Sequence, residues 1–228
     1  MITNSTAIVL KRFPYSETSI IARCFVRDMG KVSFIIHGAH RKKSPMGAYF
    51  QPINYLDLVY YFKESRNLQT VSKAAFSQSW STIPADLKKI SYAMAMIELT
   101  DKCLTDYDPH ANLFDELVIA LKTVENEKNQ LNLAYWFYQY QVLKILGFKP
   151  DFSQAEVDYV PLPNPFAGPN SKAVFEYFQM EQSGMNKGIT ITAQDRKVIS
   201  SYLNTCMGIH FEGVQNLKSF QILREMVT

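Results

Sequence analysis

Two periodicities divide the chain. Over residues 4–80 apolar and polar positions alternate in short runs. In residues 31–37, Val32, Phe34 and Ile36 can face a core while Lys31, Ser33 and His37 face outward. Residues 7–13 alternate as well. In residues 19–28, Ile20, Ala22, Cys24 and Val26 share one face, and Ile21, Arg23, Phe25 and Arg27 share the other. Residues 53–62 and 68–76 complete the set, with turn signals at 14–17, 29–30 and 63–67. Five strands in about 75 residues, with no long helix among them, predict a small barrel.

After Trp80 the period lengthens to about 3.6. Ile90, Ala93, Met94 and Ile97 share a helical face, as do Leu113, Leu117, Ala120, Leu121 and Val124, and then Leu133, Trp136, Phe137, Tyr140 and Leu143. Asp108-Pro109 reads as a helix start and Gly147 followed by Pro150 as a stop. Residues 148–170 hold five of the ten prolines and read as a long loop over the helices. A short helix is expected over 171–180. Thr192-Ala193-Gln194-Asp195 resembles a capping box opening another, and residues 217–226 could form a last one. The expected architecture is α+β in two domains, a barrel over 1–80 and an all-helical domain over 81–228.

Composition narrows the class. The 228 residues are 47% hydrophobic and 20% charged, ordinary for a globular protein with a genuine core. The N-terminus carries no signal pattern, and no apolar run approaches the roughly 20 residues that span a bilayer. The expected location is therefore cytoplasmic. Cys24, Cys103 and Cys206 are far apart and odd in number, which argues against a disulfide framework or a C-x-x-C zinc site.

Charge is distributed unevenly. Residues 1–80 hold eleven Lys/Arg and four Asp/Glu (+7); the remainder hold thirteen and seventeen (−4). This points to a polyanion partner for the first third of the chain. His40, Arg41, Lys42 and Lys43 form a basic run after the break at Gly38, followed by Pro45 and Gly47. Such a loop suits nucleic-acid backbone, since neutralised phosphates release counterions; a solvated loop that only keeps the protein soluble explains it as well. The face with Arg23, Phe25 and Arg27 suits single strands, where rings stack on bases and guanidinium groups hold phosphates; an exposed sheet face with one ring packed under a neighbouring loop is the competing outcome.

The residues Ala7-Ile8-Val9-Leu10, Tyr15-Ser16-Glu17-Thr18, Gly30-Lys31-Val32, Gly38-Ala39-x-Arg41, Ser44 and Gln51-Pro52 resemble, in that order, the RecO family of bacterial recombination mediators. The helical segment and the closing Leu217-Lys218-Ser219-x-x-x-Leu223-Arg224 are similar too. The resemblance implies an OB-fold barrel followed by a helical domain, binding of single- and double-stranded DNA, and annealing of complementary strands. It also implies work with RecR and the single-stranded DNA-binding protein to load RecA, at the nucleoid. Lys31 and Arg41 match the family's basic barrel positions directly; Arg23, Arg27, His40, Lys42 and Lys43 are added from charge and strand parity. Many members carry a four-cysteine zinc site after the third long helix, where this chain has residues 148–170 and no cysteine, so no zinc and no other cofactor are expected.

Other chemistry is sparse. No phosphate-binding loop, dinucleotide turn or H-E-x-x-H helix is present. His37 and His40 lack a nearby carboxylate in sequence. Asp106, Asp108 and His110 could ligate a hard cation, which keeps a nuclease or phosphatase in view, but helix capping by Asp108 is simpler. The leading expectation is a non-enzymatic DNA-binding and annealing factor. The alternative is an adaptor whose helical domain recruits partners with little direct DNA binding. For partner binding, Trp136, Phe137 and Tyr140 fill a core stripe and leave Tyr135 and Tyr138 for a groove, with Lys144, Lys218 and Arg224 as nearby cations. Burial of all five aromatics between helices is the competing outcome.

Overall fold

The computed structural model describes residues 1–41, 44–180 and 188–219. Five strands close into a barrel: β1 (Ile2–Pro14), β2 (Ile20–Val26), β3 (Gly30–Ile36), β4 (Tyr55–Tyr61) and β5 (Leu68–Gln78), with the one-turn helix α1 (Met46–Tyr49) between β3 and β4. The strand order around the barrel is β1-β2-β3-β5-β4; β3 and β5 run parallel and the other pairs antiparallel. Closure removes the open edges that a five-stranded sheet would otherwise expose. The barrel interior is the alternating set expected from the pattern: Ala7, Val9, Ile20, Ala22, Cys24, Val26, Val32, Phe34 and Ile36, joined by Leu56, Leu58 and Tyr60. Phe34 and Tyr60 meet edge to face at 5.1 Å.

One irregularity re-aims a strand. The register of β1 against β2 shifts between Val9 and Lys11, so Val9 faces the interior opposite Cys24 while Lys11 stands opposite Arg23 and Phe13 opposite Ile21. Plain alternation would have put Ala7, Val9, Lys11 and Phe13 on one face. The bulge turns the last two outward.

The helical part comprises α2 (Leu87–Cys103), α3 (Ala111–Asn126), α4 (Leu131–Ile145), α5 (Ser171–Gln179) and α6 (Ala193–His210). Asp86 caps α2 by accepting from the Lys88 and Lys89 N–H groups. The Thr192 capping box opens α6 with both reciprocal bonds formed. At the end of α4, the Phe148 N–H donates to the Leu143 carbonyl and the Gly147 N–H to Lys144, with Gly147 at φ +90°, a Schellman stop. The start of α3 differs from expectation. His110, not Asp108, is the cap residue, and it makes no side-chain capping bond. The Asp108 carboxylate instead accepts from Thr105 and meets His110 Nε2 at 3.1 Å.

The helix α4 is central rather than one-sided. Tyr135, Trp136, Tyr138 and Tyr140 are all buried, and Phe137 is partly buried against Tyr177 and Phe178. The groove expected from Tyr135 and Tyr138 is therefore corrected. Their rings are enclosed by neighbouring helices, the Tyr138 hydroxyl 2.6 Å from Thr100 Oγ1. A helix apolar all round has no free face to offer.

The loop 148–170 contains a small element, the hairpin of β6 (Glu156–Val157) and β7 (Val160–Pro161). Phe152 anchors the loop against Phe175 (4.7 Å), Tyr202 (5.5 Å) and Phe166 (6.2 Å). The last helix expected over 217–226 falls largely outside the described residues.

Candidate nucleic-acid interface

The helical domain sits on the barrel through the outer faces of β1, β2 and β3. Phe25 is fully buried there, edge to face with Phe114 at 5.3 Å, and Ile8, Leu10 and Ile53 join the same core as the helices. The segment after α2 docks directly on β3. The Tyr107 N–H donates to the Lys31 carbonyl at 3.0 Å. Gly30 (φ +74°) lets the chains touch, because a Cβ there would lie 2.1 Å from the Asp108 carbonyl oxygen.

Ion pairs line this junction. Asp101, buried on α2, lies 2.6 Å from Lys11 Nζ, 3.5 Å from the Arg23 guanidinium and 3.7 Å from Lys31 Nζ. The Lys31 ammonium donates to the Asp101 and Leu104 carbonyls at 2.9 and 2.7 Å and is itself buried. Arg27 holds both Asp115 oxygens, at 2.9 and 2.7 Å, and that bond pulls the Asp115 carboxyl below its ordinary range.

The expected open face with Arg23, Phe25 and Arg27 is thus corrected as geometry. Phe25 and Lys31 are enclosed and Arg27 is committed to Asp115. Strand parity identifies the outward face, and an apolar ring at its centre invites a covering domain. Asp106, from the D-x-D-x-H run, lies 3.7 Å from Lys31. The run serves the junction.

Beyond the helical domain the same face is open. Lys11 and Arg23, opposite each other, keep about a third of their side chains in solvent (36% and 34%). The next row, read across the register, is Phe13–Ile21–Ile35. Phe13 is 45% exposed; Ile21 and Ile35 are half-buried. Tyr15, 57% exposed, begins the β1–β2 turn, whose shape is held by the Tyr15 and Ser16 N–H groups donating to Ser19 O. Arg12 and the loop residues His37, His40 and Arg41 are exposed at this end of the barrel, and the His40 N–H donates to Thr18 O, tying the two loops together. Lys42 and Lys43 lie outside the described residues. Phe13, Tyr15 and Lys11 were not candidates from sequence; the signal for Phe13 and Lys11 was hidden by the bulge, which no alternation rule anticipates.

Two family models together match nearly the whole chain. Residues 1–80 match the model described as recombination protein O N terminal, and residues 84–219 match recombination protein O C terminal. The chain belongs to the RecO family. Among similar proteins, the DNA repair protein RecO of Salinibacter ruber is 33% identical over 159 residues, 70% of this chain and 61% of that protein. That of Prosthecochloris aestuarii is 25% identical over 71% of this chain and 61% of its own length. The match thus spans less than two thirds of both relatives. The DNA repair protein RecO of Bacillus pumilus is 24% identical over 100% of this chain and 98% of its own.

A RecO-type zinc site does not fit the residues present. The loop that would carry it has no cysteine, and its Phe152 ring packs on Phe175 and Tyr202. Cys206 and His210 share one face of α6 beside this loop. Burial pushes the Cys206 thiol up to about 11 and pulls His210 down, its ring stacked on Phe148 at 4.2 Å. Among the described residues no group of three His, Cys, Asp or Glu side chains is placed to hold a metal. Of the partner-side candidates besides Tyr135 and Tyr138, Lys144 ends α4, Lys218 is exposed with its N–H on Glu98 at 3.1 Å, and Arg224 lies outside the described residues.

Proposed function

We propose that this RecO-family chain is a non-enzymatic DNA repair and homologous recombination mediator that binds single- and double-stranded DNA and anneals complementary strands. The observation that carries the reading is the open strip of the barrel, where Lys11 and Arg23 stand one row from the exposed ring of Phe13, and Arg12, Tyr15 and Arg41 are exposed at the same end. Annealing asks no bond-making of the protein. A cationic surface that neutralises two strands lowers their repulsion, and base pairing completes the reaction. Family membership supports partnership with RecR and the single-stranded DNA-binding protein in loading RecA, in the bacterial cytoplasm at the nucleoid. Among the described residues no helix is long and apolar enough to cross a membrane.

A second reading has one observation in its favour. Four barrel cations, Lys11, Arg23, Arg27 and Lys31, are paired with acids of the helical domain, which suits an adaptor with little direct DNA binding. Titration of labelled single-stranded DNA at two salt concentrations decides between them. Affinity that falls steeply with salt is the expected result; no measurable affinity at low salt leaves the adaptor.

A further inference from the structure

We infer that Phe13 and Tyr15 form a base-stacking platform that gives the barrel a preference for single-stranded over duplex DNA. The inference rests on the nucleic-acid reading above and adds to it the residues that discriminate between the two forms. Large aromatic groups half in water contribute little to a core, and here both are held in place. Phe13 is fixed by the β1–β2 register opposite Ile21, and Tyr15 by the N–H bonds of its turn to Ser19 O. Side chains directly opposite on antiparallel strands lie on one face, so Phe13, Ile21 and Ile35 form a continuous apolar row across three strands.

The row is bounded by cations on both sides. Lys11 and Arg23 stand one row nearer the helical domain, about 7 Å away along the strands, with their side chains a third exposed. On the other side the loop with His37, His40 and Arg41 is tied to the β1–β2 turn through His40 N–H and Thr18 O. Two carboxylates are near: Glu17 at the turn tip, and Asp101, buried under Lys11 and Arg23 at the other border, which leaves both side chains a third exposed. An apolar strip between two cationic borders matches a single strand, with its bases on the strip and its phosphates at the borders. In a duplex the base faces are already stacked on each other, so the rings gain nothing while the cations still meet phosphates.

Three other exposed rings lack this setting. Tyr61, paired with Ile2, lies on the outer face where Lys73 and Asp57 offset each other. Phe76 leans on Tyr49 at 4.9 Å. Tyr159, 95% exposed at the tip of the β6–β7 hairpin, is flanked by Asp158 and Glu156, which repel a polyanion.

The test compares the full chain with Phe13→Ala, Tyr15→Ala, their double variant and Phe13→Trp. Each binds a fluorescein-labelled oligo-dT strand and a blunt mixed-sequence duplex of equal length, followed by anisotropy at two salt concentrations. Thermal melting confirms that each variant is folded. Loss of stacking on one base corresponds to roughly a 5- to 150-fold weakening. Each alanine variant is expected to lose single-strand affinity on this scale, with duplex affinity within about twofold and the salt slope unchanged; Phe13→Trp is expected to retain it. Equal losses on both DNA forms, or no loss on either, overturn the platform. Failure of the unsubstituted chain to bind either DNA would instead overturn the nucleic-acid reading beneath it.

Discussion

Lys31 carries the widest difference between a residue's appearance in sequence and its role in the fold. It follows a turn glycine and precedes a basic loop, yet its ammonium is buried against two carbonyls and lies near Asp101. Burying a charge is costly unless it is paired and hydrogen-bonded, and the Asp101 side chain, 3% exposed, serves Lys11 and Arg23 as well. Removing one partner of a buried pair leaves the other uncompensated, commonly at a cost of about 3–5 kcal/mol. Asp101→Ala is therefore expected to destabilise the protein by about 3 kcal/mol, read from urea denaturation midpoints. A change below about 1 kcal/mol would show that Lys31 is satisfied by carbonyls alone. At this scale the sequence showed a cation; burial and partners assigned its role.

Among the elements, the linker between barrel and helices is pinned by one carboxylate. Glu125, at the end of α3, accepts from the Ser81, Thr82 and Ile83 N–H groups and the Ser81 hydroxyl. Burial alone would raise its pKa, but these donors outweigh it and bring it from 4.5 to about 2. A depressed folded-state pKa contributes stability that is fully present above the unfolded value and is lost as pH falls through the folded one. Glu125→Gln should thus cost about 1 kcal/mol at neutral pH, because solvent screens a carboxylate that is only partly enclosed. The gap from the parent should close between about pH 4.5 and pH 2; a gap independent of pH over that window would remove the carboxylate's charge from the account. The loop 148–170 makes a second case. Its prolines announced an irregular course, but its anchor, Phe152, comes from packing against α5 and α6. Because the loop lacks cysteines, elemental analysis is expected to find no stoichiometric zinc. Chelator should leave the melting temperature unchanged, since closed structural zinc sites take four Cys or His ligands; a fall in chelator would point to Cys206 and His210.

For the molecule as a whole, the charge asymmetry of the sequence has two destinations. Part of it is neutralised within the chain, where Lys11, Arg23, Arg27 and Lys31 face Asp101, Asp106 and Asp115 across the junction. Of the other described cations, Arg12 and Arg41 are exposed at the end of the barrel that carries the β1–β2 turn, while Lys63, Arg66 and Lys73 are exposed on β5 and the hairpin before it. Charge reversal at Arg41, Lys42 and Lys43 should therefore weaken single-strand binding without unfolding the barrel. The log–log salt slope should become shallower by about 0.7 for each phosphate that is no longer neutralised. An unchanged slope in the folded triple variant would take this loop out of the DNA site.

The hydrophobic pattern determined the five strands and the change to helices after Trp80, and local turn and cap residues determined the stop at Gly147 and the capping box at Thr192. Each of these is set within a few residues by backbone geometry, so each is legible in a short window. It also determined which face of β2 and β3 lines the barrel, through the period of two. Only the tertiary structure decided what lies on the outward face, because that depends on segments 70 residues or more away in sequence, as in the Lys31–Asp101 and Lys31–Leu104 hydrogen bonds. The bulge at Val9–Lys11 inverted the remainder of β1 and brought Phe13 and Lys11 outward beside Ile21 and Arg23. Tyr135 and Tyr138 were likewise settled by helices packed around α4, not by the stripe on α4 itself. Periodicity sorts side chains between two faces; only non-local packing determines which face meets water.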